Sequence, residues 1–165
     1  MDDRRDALLM AATAYFHGDP ARVQHFWKVW AYAALMGRRE GLDASTQETL
    51  EAAAIVHDVG IRVSERKYGS SAGPLQEKEG PPEAERLLRE TGYGEKTVAR
   101  VAWLVGHHHT YDAIDGADYQ ILVEADFLVN LYEDGVSRQA VQAAGAKIFK
   151  TATGKKLLAE MFGEG

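Results

Sequence analysis

Six histidines and 25 acidic residues supply most of the reactive chemistry of this chain, and no cysteine contributes. Without cysteine there is no disulfide scaffold, no thiolate zinc finger and no cysteine nucleophile. A metal ion would have to be held by His, Asp or Glu. His107, His108 and His109 stand together and draw attention first, whereas His25, His57 and the adjacent Asp58 are scattered. At helical spacing, His25 shares a stripe with Val29, Tyr32 and Met36. His57 shares one with Leu50, Ala53 and Ala54. His108, rather than its two neighbours, continues the stripe of Val101, Leu104 and Val105. Asp126 is flanked by Leu122, Val123 and Val129. Three histidines and two aspartates thus fall where the pattern calls for core. A buried aspartate without a partner costs several kcal/mol, so each needs a hydrogen bond, a counter-charge or a metal. Neutral imidazole and carboxylate are the usual non-thiol ligands of divalent ions. Taken singly, each residue has a plainer explanation as a hydrogen-bonded core residue; their joint occurrence is what points to a metal.

The elements that would position these side chains read as helices, because no segment keeps a period-two alternation. Helices are expected over about 3–16, 21–39, 45–58, 81–90, 96–108, 119–133, 137–149 and 154–161. The third is expected to open on a Ser45–Glu48 capping box, and Pro81 and Pro82 to occupy a helix start. Residues 62–80, rich in Gly, Ser and charge, read as a long polar loop, a second loop covers 110–117, and His17 reads as a helix-end residue beside Gly18. The fold class is therefore all-α, a compact helical bundle in one domain over 1–165. Its signature core lies at about 21–131, and C-terminal helices over 137–162 complete it.

The order of these residues resembles the HD-domain superfamily of metal-dependent phosphohydrolases, named for a His…His-Asp…Asp ligand set on an all-helical fold. His25 in RVQHFWKVWAYA matches the first His, His57 and Asp58 in LEAAAIVHDVGI the His-Asp pair, and Asp126 in ILVEADFLVNL the last Asp. The resemblance implies a divalent ion, such as Mn, Fe, Zn, Ni, Co or Mg, on His25, His57, Asp58 and Asp126. Two-metal members carry two more histidines. Val105 to His108 fits one of them, while EKEGPPEAERLL has no histidine and offers Glu79 instead. One ion per chain is the reading, with His108 near the substrate or holding a second ion with Glu79.

The implied reaction is hydrolysis of a phosphate ester of a nucleotide or other small phosphorylated metabolite by metal-activated water. Asp58, His108 and Glu79 are the candidates for catalysis, with Glu77 and Glu65 as substitutes for Glu79 on proton transfer. Arg62, Arg66, Lys67 and His109 are candidates for the phosphate and pocket rim, with Arg22 also in reach and His107 at the surface. For any one of these charges, ordinary surface exposure is the competing reading. Tyr68, Trp103, Tyr111 and Trp27 are of a kind to stack on a base, though isolated aromatics in helices are more often core. Two alternatives share the fold: a di-iron oxygenase, which would need Glu79 as a ligand, and a catalytically silent metal-binding regulatory domain.

The net charge of −6 argues against a nucleic-acid polymer as partner. A small anion is compatible with it, because a local basic cluster can act inside an acidic protein. MDDRRDALLM mixes acids with arginines, and the apolar run at 121–131 contains Glu124 and Asp126. Neither reads as a signal peptide or a membrane span, so a cytoplasmic protein is expected. The oligomeric state, a homodimer included, stays open.

Overall fold

The computed structural model describes residues 3–163; residues 1, 2, 164 and 165, the ends of the single-domain assignment, lie outside the described residues. Among the described residues there are nine helices and no strand. They are α1 (Asp3–Tyr15), α2 (Pro20–Arg39), α3 (Ala44–Val56), α4 (Gly60–Tyr68), α5 (Gly73–Glu90), α6 (Glu95–Val105), α7 (Ala117–Glu133), α8 (Arg138–Lys147) and α9 (Ala152–Phe162). The all-α expectation holds, and no helix is long and apolar enough to cross a membrane.

The centre of the bundle is α3, whose residues from Thr49 to Val56 are all buried. A helix buried all round belongs in a core. The side chains of Ala52, Ala53 and Ala54 are small enough to let α2, α6, α7 and α1 close around it. Its start differs from expectation. Asp43, not Ser45, is the N-cap and accepts from the Thr46 backbone N–H at 2.8 Å. An Asp two positions earlier meets the orphan amide as well as a serine does, at a typical value of about 1 kcal/mol. Asp19 likewise caps α2, and Arg62 occupies the C-terminal side of α1 by donating to the carbonyls of Tyr15 (2.6 Å) and His17 (2.7 Å).

The largest correction concerns residues 62–80, which are helical except for a short link at 69–72 rather than one long loop. They form most of α4 and the first half of α5, and Pro81 and Pro82 lie inside α5 instead of at its start. The inward positions of α5 are Gln76, Gly80, Ala84, Leu87 and Leu88, a continuous helical stripe whose first two members are not apolar. Proline inside a helix removes the N–H that would meet the carbonyl four residues earlier. Pro74, within the first two positions, takes the role expected of Pro81. Glycine at the crossing explains the polar composition. A Cβ on Gly60 would lie 2.6 Å from the Gln76 carbonyl oxygen, and one on Gly80 would lie 2.7 Å from Val105 Cγ1. The backbones of α4 and α5 meet where no side chain fits.

The C-terminal helices are fastened by carboxylates. Glu124 of α7, with no exposed surface, accepts from Gln120 Nε2 (2.6 Å), the amides of Lys150 and Thr151 (both 3.1 Å) and Thr151 Oγ1 (2.7 Å). Glu40, just past α2, accepts from the amide of Thr153 (3.2 Å) and its hydroxyl (2.6 Å). Together they dock the start of α9 onto α7 and α2.

Candidate metal centre

Four helices deliver one polar cluster to the interior. His25 comes from the second turn of α2, His57 caps α3, Asp58 follows it, and Asp126 sits midway along α7. His108 lies just beyond the C-terminus of α6. His25 Nε2 is 3.1 Å from Asp126 Oδ1, 3.2 Å from Asp58 Oδ2 and 3.2 Å from His57 Nε2. His57 Nε2 is 3.3 Å from Asp58 Oδ2 and 3.4 Å from Asp126 Oδ1. Donor atoms about 2.0–2.2 Å from a shared cation stand about 2.9–3.5 Å from one another, so these separations fit such an ion.

The ring nitrogens facing away from the cluster decide the tautomers. His57 Nδ1 donates to the Ala54 carbonyl at 2.7 Å, and His108 Nδ1 to the Val105 carbonyl at 2.8 Å. His25 Nδ1 donates to Glu133 Oε1 at 2.5 Å, and the other oxygen of that carboxylate accepts from Lys28 at 3.1 Å. A carbonyl or carboxylate oxygen only accepts, so each Nδ1 carries the proton and each Nε2 keeps its lone pair for the cluster. Two lone pairs facing each other at 3.2 Å, on His25 and His57, demand a positive charge between them. In the metal-free protein, protons supply it. Against the pull of burial, Asp126 and Asp58 push His25 up to about 11 and His57 up to about 10. Burial works in the opposite sense on the carboxyls, yet the facing histidines hold Asp58 and Asp126 well below the usual range. His108 Nε2 is buried, has no hydrogen-bond partner and lies 3.5 Å from Asp58 Oδ1. A cation suits this donor set: it replaces the protons and gives the orphaned His108 nitrogen a neighbour.

Asp58 faces both ways. It groups with His25 and His57 on one side and with His108 and His109 on the other, each set offering ligand atoms within 4.8 Å of one another. His109 Nε2 faces Gln76 Oε1 at 3.1 Å, which leaves Nδ1 unprotonated, and burial together with the adjacent His108 pushes the ring down to about 4.

The structure therefore brings together His25, His57, Asp58, Asp126, His108 and His109. Other expected members lie elsewhere. Glu79 accepts from Tyr68 Oη at 2.7 Å and Lys67 at 3.0 Å, forms no hydrogen bond or ion pair with the cluster, and is held below the ordinary glutamate value by those donors. That is the reverse of what a general acid near neutral pH requires, so Glu79 and Lys67 are corrected to a clamp between α4 and α5. Arg62 is spent on the end of α1, and Arg66 stays exposed on α4. Arg22 pairs with Asp19 and Glu65, and Glu77 accepts from Thr110. His107 stacks on Trp103 at 4.0 Å, with Tyr119 donating to the carbonyls of His107 and Thr110, which fixes the backbone of the triple histidine. Arg100 pins the following loop through Asp115 (2.8 Å) and Asp118 (2.9 Å).

Three residues of the site escape sequence reasoning: Glu133, Asn130 and Gln76. Asn130 Nδ2 donates to Asp126 Oδ1 at 3.0 Å. Asn130 and Glu133 follow Asp126 by four and seven positions, the same stripe of α7, and that spacing was available as a signal.

Comparison with known proteins is consistent with this geometry. The HD domain family model matches residues 22–151, a span that contains all four scattered residues. A crystal structure at 1.45 Å resolution of a predicted HD superfamily hydrolase from an uncultured Thermotogales bacterium is similar, with 25% identity and a TM-score of 0.67. The match covers 94% of this chain and 83% of that one. A search of curated proteins found no match.

Proposed function

The chain belongs to the HD domain family, and from that premise we propose that it is a metal-dependent hydrolase that cleaves a phosphate ester of a nucleotide or other small phosphorylated metabolite. The observation that carries this reading is the convergence of three Nδ1-protonated histidines and two ionised aspartates on one buried point. His25, His57, Asp58 and Asp126 would hold one divalent ion. When bound, such an ion polarises a phosphoryl oxygen and lowers the pKa of a coordinated water.

The remaining work falls to the chain. Glu133, Ala54 and Val105 keep the three ring protons on Nδ1, so that no Nε2 turns away from the centre. The buried Nε2 of His108, beside Asp58 Oδ1, is placed to take a proton from an attacking oxygen and return it to the leaving one. His109, neutral at ordinary pH, offers Nδ1 at the same edge. The di-iron alternative needs Glu79 as a ligand, and Lys67 and Tyr68 already occupy that carboxylate. A second reading, with another ion on Asp58, His108 and His109, is favoured by the unpartnered His108 Nε2.

The test is elemental analysis followed by a hydrolysis screen of nucleotides and sugar phosphates with the metal found. One ion per chain and phosphate release are expected. A loaded protein that releases no phosphate from any of them refutes the reading. Two ions, reduced to one in His108→Ala, would establish the second reading.

A further inference from the structure

Beside the metal cluster, α7 presents a second face. Asp126, Asn130 and Glu133 point to the cluster, and Phe127, Leu131 and Asp134 follow one position round the helix, about 100° away. This face forms one wall of a cavity of about 380 Å³, completed by Tyr111 from the loop before α7 and Val136 after it. Asn130 belongs to both sides: it lines the cavity and donates to Asp126.

The chemistry of the lining is specific. Tyr111 and Phe127 meet edge to face with ring centroids 5.3 Å apart, and Leu131 and Val136 supply the apolar remainder. Of the four aromatics of a kind to stack on a base, Trp27 donates to Thr13, Trp103 lies under His107, and Tyr68 donates to Glu79. Tyr111 is 39% exposed, and its hydroxyl makes no hydrogen bond among the described residues. Its phenol also feels the metal side: burial, with Asp126 and Glu77 nearby, pushes it up to about 12. At the far end, the Asp134 carboxylate makes no hydrogen bond or ion pair among the described residues. No cation lines the cavity, so it is not a second phosphate site. An aliphatic chain would leave the Asp134 carboxylate without a partner. A flat heterocycle bearing N–H groups engages the carboxylate and the rings together.

We propose that this cavity is a subsite for a nucleobase, with the base against Tyr111 and Phe127, its N–H groups toward Asp134 and Asn130, and the phosphate end toward Asp126. The orientation rests on the phosphohydrolase reading; the subsite itself does not.

The experiment is an NMR titration of metal-loaded, ¹⁵N-labelled protein with adenosine, guanosine, cytidine and uridine, and with ribose as comparison. The expected result is saturable shifts at the amides of Tyr111, Phe127, Asn130 and Asp134 with nucleosides and none with ribose. Tyr111→Ala should weaken nucleoside binding about tenfold, and Tyr111→Phe should preserve it. Nucleosides that leave these amides unmoved, or that bind Tyr111→Ala as tightly as the parent, overturn the subsite. Hydrolysis of nucleoside monophosphates and of ribose 5-phosphate by the parent protein is measured separately. Its absence counts against the hydrolytic reading, and a positive nucleoside titration would still establish the subsite.

Discussion

Glu124 and Asp126 are two acids on one helix, both buried, and they have opposite circumstances. Two residues apart, they point about 200° away from each other. Glu124 turns toward α9 and is met by four donors, two backbone amides, an amide side chain and a hydroxyl, all supplied by the chain itself. Asp126 turns toward α2 and α3, where apart from Asn130 it faces the Nε2 atoms of His25 and His57, which themselves lack any other use for their lone pairs. One carboxylate is closed and holds the fold. The other faces two imidazoles whose extra protons a metal ion can replace. Burial alone does not distinguish a structural acid from a ligand; the state of its partners does.

The sharpest way to break this contrast is mutation at the open side. His57→Ala or Asp58→Ala should abolish metal binding and lower hydrolysis by roughly 10³-fold or more, with retained helicity by circular dichroism. Hydrolysis at the parent rate would end the assignment. Glu124→Ala should do the converse. It strands buried donors and should cost about 3 kcal/mol of stability in denaturant unfolding, while the folded fraction keeps its metal. Loss of metal with unchanged stability would erase the distinction between the two acids.

The pH dependence of the metal-free protein comes next. His25 and His57 are raised from 6.5 to about 11 and about 10, so the folded state binds more protons than the unfolded chain between those values. Their contribution is fully present below pH 6.5 and is lost as pH rises toward 10. Asp58 and Asp126, held below 3.8, contribute above that value and lose it as pH falls. The metal-free melting temperature should therefore peak between pH 4 and 6.5 and decline by roughly 5 °C or more by pH 9. In the loaded protein the cation replaces the protons, and the alkaline decline should vanish; parallel melting curves with and without metal would contradict this. The smallest effect is expected at Glu133→Gln, which keeps an acceptor but removes the charge behind His25. Metal affinity measured by calorimetry should fall about 10-fold, with no change in melting temperature of more than a few degrees.

Much of the cluster was legible because a polar residue on an apolar stripe violates the burial pattern, as His25, His57, His108 and Asp126 each do. The same logic passed over Glu124, whose donors arrive from residues 150 and 151, too distant in sequence to be anticipated. Glu133 sits at a helix end, where an acid is ordinarily solvated, and it was missed; only its spacing from Asp126 could have marked it. The helices α4 and α5 were not legible, because their crossing is made by Gly60 and Gly80 and their inward stripe begins with Gln76. Composition that marks a loop on the surface marks close packing here. The basic residues of that segment were misplaced for the same reason: once 62–80 is helical, Arg62 and Lys67 point to α1 and Glu79.

Two helices end at the cluster, α3 at Val56 and α6 at Val105. A helix C-terminus carries partial negative charge from its unpaired carbonyls, and here two such ends add to Asp58 and Asp126. Arg62 and Lys67, two cations expected beside it, are committed elsewhere. The helix ends and the two carboxylates therefore favour positive charge at the centre, held as protons on His25 and His57 until a cation displaces them. Loading is thus an exchange rather than a simple addition: as an ion enters, the ring protons leave, and metal uptake should release protons to solvent.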